Sequence, residues 1–224
     1  MMNSTGATHS LPGLQRLLDI CQRHGVAVSS LPPGKATPKA GSLFMGQPFD
    51  PLLAAAFARF GELMQGPWHA LMVRCDDELN ALVMENEDSR KYWPERFHAL
   101  TVFGLEMRYR YATVPELASS EGFQPVIWIN PYEEIYALPI ASNVDRFFET
   151  YSRYLEIVAD EPEFQQEQEP SVSFPWEVQE LLSADGRLVE LLGEGKFDPW
   201  MYSGYRRTDE QVREWAAKVQ AGRR

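Results

Sequence analysis

The chain has 224 residues, of which 44% are hydrophobic and 12% aromatic, and its formal net charge is −11. These values exclude an intrinsically disordered chain and a small disulfide-stapled domain, because a chain of this length and hydrophobicity buries a core of its own. The acidic balance argues against direct binding to nucleic acid, since a phosphate backbone repels a field of the same sign.

The first half of the chain predicts helices separated by a loop. Apolar residues recur at helical spacing over residues 14–21 and stop at Gly25, which is a typical glycine at a helix end. Three prolines and a glycine in residues 31–38 predict a loop. Asp50 followed by a proline indicates a helix N-cap, and the helix is predicted to run over residues 51–66.

Apolar stretches then predict the strands of a sheet, at residues 68–74, 79–85, 105–112, 125–129 and 135–138. The first two flank the polar residues 75–78, as in a β-hairpin. Residues 126–129 are apolar throughout, which favours a strand covered on both faces at the centre of the sheet. Alternation around residue 109 predicts Arg108 and Arg110 on a wet face, with Met107 and the tyrosines on the buried face.

The last part of the chain is predicted to be helical. A long helix follows Ser142 or Asn143 as cap, with an apolar stripe between residues 144 and 158. Further helical patterns cover residues 176–182, 187–192 and 208–221. Thr208 and Gln211 form a capping-box pair at the start of the last pattern, and Gly222 ends it.

These elements predict an α+β fold with a single mixed, mainly antiparallel sheet flanked by helices and a C-terminal helical appendage. Residues 1–47 are expected to pack as a helix and Pro-rich loop on a core formed by residues 48–159. An acidic connector at residues 160–170, bracketed by prolines, then leads to the helical appendage at residues 171–224.

The composition and the search for motifs predict a cytoplasmic protein that is not an enzyme. Cys21 and Cys75 lie apart, without CxxC or metal-ligand spacing, which predicts two reduced, partly buried thiols. No signal peptide and no apolar run of about 18 residues is found, so no membrane association is expected. Histidine pairs, phosphate-binding glycine loops and a nucleophile elbow are also missing from the sequence. We therefore expect no catalytic residue, cofactor or metal.

The acidic side chains concentrate in one quarter of the chain. Residues 116–169 hold 12 of them and only two basic side chains. This excess either serves solubility alone or attracts a basic partner. Aromatic residues lie among the acids, which gives a candidate partner-binding set: Trp128, Tyr132, Glu133, Glu134 and Tyr136. Such a mixture is typical of a protein interface, although tyrosines packed in a core with acids pointing outward give the same pattern.

Between about Pro48 and Leu155 the chain resembles the SUKH superfamily. The resemblance rests on a Phe-Gly element at Phe103 before a tyrosine-rich strand, a Pro-Val strand at residues 125–130, and an Ile-Ala-Ser stretch at residues 140–142 that leads into a helix with Phe147-Phe148. It implies an α+β fold with one mixed sheet. It also implies an immunity protein that binds and neutralises a cognate polymorphic toxin, often a nuclease, by occlusion.

Two other functions stay open at this point. One is a cytosolic protein-binding adaptor of the same fold that has no toxin partner. The other is a small-molecule enzyme whose site is built from dispersed carboxylates. A deep pocket with several ionisable groups of perturbed pKa would support the enzyme.

Overall fold

The computed structural model describes residues 9–66, 69–132, 134–167 and 170–222, and it confirms the α+β class. The helices are α1 Pro12–His24, α2 Pro51–Phe57, α3 Ala81–Tyr92, α4 Val144–Val158, α5 Pro162–Glu167, α6 Gln179–Ser183, α7 Gly186–Gly193, α8 Asp198–Met201 and α9 Arg206–Ala221. The strands are β1 Val28–Leu31, β2 Leu43–Phe44, β3 Gln47–Pro48, β4 Glu62–Gln65, β5 His69–Met72, β6 Thr101–Glu106, β7 Tyr109–Thr113, β8 Val126–Asn130 and β9 Tyr136–Ala141.

Seven strands form the main sheet in the order β1-β4-β5-β6-β7-β8-β9. Every strand pair in the described residues is antiparallel, including a separate ribbon of β2 and β3. Successive side chains of β7 point to opposite faces. Tyr111 packs on Phe147 of α4, whereas Arg110 pairs with Glu85 of α3. Helices α3 and α4 therefore lie on opposite faces of the sheet.

Helix α1 forms as predicted and packs along α4. Gly25 adopts the left-handed conformation that ends the helix, with φ of 68°. The backbone N–H groups of Gly13 and Leu14 donate to the carboxylate of Asp145 at 2.9 and 3.3 Å. A Cβ atom at Gly13 would lie 2.1 Å from the carbonyl oxygen of Asp145, so only glycine permits this close approach of the two helices.

Helix α2 begins as predicted but is shorter than expected. The Asp50 carboxylate accepts a hydrogen bond from the backbone N–H of Leu53 at 2.7 Å, as an N-cap does. The predicted extension over residues 58–66 is wrong, because the chain turns at Gly61. Its N–H donates to the carbonyl of Leu31 at 2.8 Å. The following residues form β4, which pairs with the unpredicted strand β1.

The predicted second strand of the first hairpin, residues 79–85, is wrong and forms the start of α3. The Asp76 carboxylate accepts from the N–H groups of Glu78 and Leu79, which turns the chain back. Asn80 then caps the helix by accepting from the N–H of Val83 at 3.0 Å. Local capping therefore outweighs the apolar run in this segment.

The predicted single strand over residues 105–112 is also wrong. It contains a two-residue turn at Met107 and Arg108 that joins β6 to β7, with Glu106 opposite Tyr109. Met107 lies in this turn and is 69% exposed, so its predicted place on the buried face is incorrect. Strand β8 is buried on both faces as expected, but it lies next to the edge strand β9 and not at the sheet centre.

The last third of the chain packs against the sheet and α4. Asn143 caps α4 as predicted, and its apolar stripe is buried. Part of the predicted connector is helix α5, in which Phe164 is 2% exposed. The predicted capping box is wrong: α9 begins at Arg206, and the Thr208 hydroxyl donates to Glu134 instead. The division into four segments stays a prediction.

Candidate functional site

The structure separates the residues of the predicted partner-binding set. Trp128 is only 1% exposed and packs between Tyr109 and Tyr136, with ring centroids 4.4 and 6.2 Å away. Tyr136 is 8% exposed. These aromatic side chains therefore belong to the core, and the prediction that Trp128 offers contact surface is incorrect. Glu133 lies outside the described residues.

The other two residues of the set lie at the surface. Tyr132 is 51% exposed, and its N–H donates to the side chain of Asn130 at 3.2 Å in the connection between β8 and β9. Glu134 is half-buried and accepts from the hydroxyl of Thr208 on α9. This hydrogen bond ties the β8–β9 connection to the last helix.

The β6–β7 turn lies beside this connection, and together they form a surface that we call the hairpin rim: Met107, Arg108, Tyr132 and Glu134. The Arg108 guanidinium carbon is 5.4 Å from the centroid of the Tyr132 ring and 6.0 Å from that of Tyr109. These distances are within the range of cation–π attraction. The stack joins the two hairpins and presents an aromatic face and a cation at one end of the sheet.

Met107 is the most unusual residue of the hairpin rim. Its φ of 50° is in the left-handed region, where a side chain other than Gly, Asn or Asp is disfavoured by about 1–2 kcal/mol. Its apolar side chain is also 69% exposed to solvent. Neither the backbone conformation nor the burial of apolar surface explains a methionine at this position, and such outliers concentrate at functional sites.

A polar cluster of buried and half-buried side chains lies next to the hairpin rim, and we call it the Glu106 cluster: Gln65, His69, Glu106, Tyr111 and Tyr151. Glu106 directly precedes Met107, and its carboxylate accepts a hydrogen bond from the Tyr111 hydroxyl. The Tyr151 hydroxyl donates to the side-chain oxygen of Gln65 at 2.8 Å and lies 3.5 Å from Nδ1 of His69. His69 is paired with Glu106 across β5 and β6.

Burial shifts the ionisation of this cluster toward neutral forms. It raises the pKa of Glu106 to about 7, although the hydrogen bond from Tyr111 opposes the shift. Burial also raises the pKa of Tyr111 and Tyr151 well above the usual tyrosine range and lowers the pKa of His69. The hypothesis of an enzyme requires a deep pocket and ionisable groups of perturbed pKa, and these shifts meet the requirement for perturbed pKa values.

The second condition is a deep pocket that a substrate can enter, and the two tyrosines are closed off from solvent. Tyr111 and Tyr151 are 0% and 1% exposed. The Tyr151 ring also packs on Phe174, with the ring centroids 5.4 Å apart. A substrate cannot reach the two hydroxyls in this arrangement. The buried Tyr111 therefore anchors the β6–β7 hairpin through Glu106, and the Glu106 cluster is the part of the site that sequence patterns missed.

The acidic side chains of residues 116–169 do not form one acidic face. Six of those in the described residues have partners within the chain: Glu134 with Thr208, Asp145 with the α1 N-terminus, Glu149 with Arg146 and Arg153, Glu156 with Arg16 and Arg23, Asp160 with His24, and Glu161 with Ser171. Of the exposed acids, Glu116 and Glu121 lie in the connection between β7 and β8, whereas Glu163 lies on α5. Three of these acids, Asp145, Glu156 and Asp160, thus hold the α1 segment on the α4 segment.

The structure gives less support to a reactive cysteine, a metal site or a membrane-spanning helix than to the hairpin rim. Cys21 and Cys75 are buried free thiols, as predicted. Across residues 9–66, 69–132, 134–167 and 170–222, no three metal-ligating side chains group into a possible metal site. None of the described helices is both long and apolar enough to cross a membrane. A shallow groove of about 390 Å³ lies between Trp176, Tyr136 and α9.

Comparison with known proteins found no relative that could identify the function of this site. No protein-family model, curated protein or solved structure matches the chain. The resemblance to the SUKH superfamily consequently stays a prediction, and the function is argued from the hairpin rim itself.

Proposed function

We propose that this protein binds another protein through the hairpin rim, and that it is an immunity protein of the SUKH type that neutralises a toxin domain by occlusion. The observation that carries the proposal is Met107, an exposed apolar side chain held in a disfavoured backbone conformation. A contact with a partner would bury this side chain and repay the conformational cost.

The composition of the hairpin rim supports a protein partner over a small molecule. Methionine, tyrosine and arginine are enriched at protein interfaces, and tyrosine and arginine supply many of the residues that dominate binding energy. Arg108 and Tyr132 hold each other in place through their stack, so less side-chain freedom is lost on binding. The net charge of −11 favours a basic partner.

Co-expression tests the proposal. The protein is produced together with the toxin encoded beside it, and cell growth and co-purification are measured. We expect the wild type to restore growth and to co-purify. Met107→Glu should weaken the complex by about 100-fold or more, as for a residue at the centre of an interface.

Met84 provides the matched control, because it is also an exposed methionine, 54% exposed on α3 and outside the hairpin rim. Met84→Glu should leave rescue and binding unchanged. Equal loss with the two variants would contradict the assignment of the hairpin rim. A wild type that neither co-purifies nor rescues growth would contradict the immunity function and leave the adaptor.

A further inference from the structure

The two edges of the main sheet differ in how they are protected. The β9 edge is buried along its whole length, carries Pro139 and is packed against α7 and α8. The β1 edge has none of these features: residues 28–30 are exposed, Leu31 is only half-buried, and the strand has no charge, proline or bulge of its own. Proteins normally block exposed edges with such devices, because an open edge pairs with other strands.

The hydrogen bonds of β1 show which of its backbone groups face outward. The carbonyls of Ala27 and Leu31 accept from Gly66 and Gly61 on the side of β4. Because adjacent residues of a strand direct their N–H and C=O groups to opposite sides, Ser29 also faces β4, whereas Val28 and Ser30 face outward. Two N–H donors and two carbonyl acceptors are therefore presented at the open edge.

We propose that β1 is a dimerisation strand, which pairs antiparallel with β1 of a second copy of the chain. A two-fold axis at Ser29 places Val28 opposite Ser30 of the second copy and Ser30 opposite its Val28. This register satisfies all the outward groups with four reciprocal hydrogen bonds, because two outward residues that face each other exchange both N–H···O=C bonds. The two sheets join into one.

Several observations favour a second copy over an unrelated strand. Pro32 and Pro33 directly follow β1 and have no N–H to donate, so an incoming strand can pair only with the four residues of β1. The β1 strand of a second copy has this same length. No charged side chain lies in the strand to repel its copy across the axis. Both faces of β1 are exposed, so the incoming strand meets no helix.

The proposed dimer is independent of the proposed function and leaves the hairpin rim open. Strand β1 is separated from β6, the strand of the hairpin rim that lies nearest to it, by three strand spacings, or about 14 Å. Each dimer would carry two hairpin rims, so a partner with two copies of its own binding surface would be held more tightly by the dimer than by a single chain.

Sedimentation velocity and light scattering on the purified full chain test the pairing over a range of concentrations. We expect a mass twice that of one chain, which falls to the single-chain mass on dilution. Ser30→Pro removes an outward N–H that makes no bond within the monomer, and it should raise the dimer dissociation constant by roughly 30-fold. Ser30→Thr keeps the N–H and should dimerise like the wild type.

A charge exchange at Ser29 tests the register and does not depend on Ser30→Pro folding well. In the two-fold pairing, each Ser29 faces its own copy, so Ser29→Lys alone and Ser29→Glu alone bring like charges together and should weaken the dimer several-fold. Mixing the two variants should restore it, because the charges are then opposite. A wild type that is monomeric at all concentrations, or dimers that survive Ser30→Pro and ignore the Ser29 charges, would overturn the proposal.

Discussion

The interaction of Asn86 with β6 gives the sharpest prediction about stability. Asn86 is 1% exposed on α3, and its side chain takes the place of a neighbouring strand. The amide nitrogen donates to the carbonyl of Val102 at 2.7 Å, and the amide oxygen accepts from the N–H of Val102 at 2.8 Å. These two backbone groups lie beyond the short stretch in which β5 pairs with β6.

Asn86→Leu keeps the size of the side chain but leaves both backbone groups of Val102 without a partner in the core. Each unsatisfied buried group costs about 1–3 kcal/mol, so we expect the free energy of unfolding to fall by about 2–5 kcal/mol. That is a large share of the total stability of a typical domain, about 5–15 kcal/mol. Urea denaturation followed by tryptophan fluorescence measures the change.

Two further variants show whether the loss of stability in Asn86→Leu comes from the hydrogen bonds to Val102. Glu87→Leu removes a polar side chain from an exposed position of the same helix, and it should change stability by less than about 0.5 kcal/mol. Asn86→Asp should be milder at pH 4 than at pH 8, because a protonated carboxyl both donates to and accepts from Val102, whereas an ionised one cannot donate. A loss below about 1 kcal/mol for Asn86→Leu would refute the reasoning.

Three other variants test the candidate site and the fold. The pKa of Glu106 is about 7 in the folded chain, against about 4.3 when unfolded, so its stabilising contribution is complete below pH 4 and is lost as pH rises to 7. Between pH 4 and pH 7 the free energy of unfolding of Glu106→Gln should therefore rise relative to that of the wild type, by up to about 3 kcal/mol in urea titrations. A difference between the two proteins that does not change with pH would contradict the raised pKa. Met107→Asn should raise the free energy of unfolding by about 0.5–1 kcal/mol, because asparagine tolerates the left-handed turn, whereas Arg108→Asn should not. Asp50→Ala removes the acceptor for Leu53 and Gln124, and thermal or urea unfolding should show a loss of about 2–4 kcal/mol.

Elements with strong local signals could be predicted from the sequence. Helix α4 has a complete apolar stripe and a capping asparagine at residue 143, so both its start and its buried face were predictable. The turn between β6 and β7 was not, because Met107 and Arg108 are not residues that mark a two-residue hairpin. Helix α3 was missed because Asn80 and Asp76 act through side-chain hydrogen bonds that an apolar count ignores.

The candidate site shows the same limit. The exposure of Tyr132 follows from its turn, but the burial of Trp128 depends on residues distant in sequence. Trp128 packs on Tyr136, which in turn packs on Trp176 with ring centroids 6.1 Å apart. A local pattern of aromatic and acidic residues cannot show that a later segment covers half of it, nor that Glu106 and His69 meet across two strands.

The placement of the acids also changes what the charge of the chain does in binding. Glu156 pairs with Arg16 and Arg23, and Asp160 pairs with His24, so these carboxylates hold α1 and α4 together. The net charge then acts on a basic partner mainly as a long-range field, which salt screens beyond about 8 Å. It follows that added salt should slow association of the proposed complex, whereas Met107→Glu should speed its dissociation, because short-range packing and not charge holds the partner at the hairpin rim.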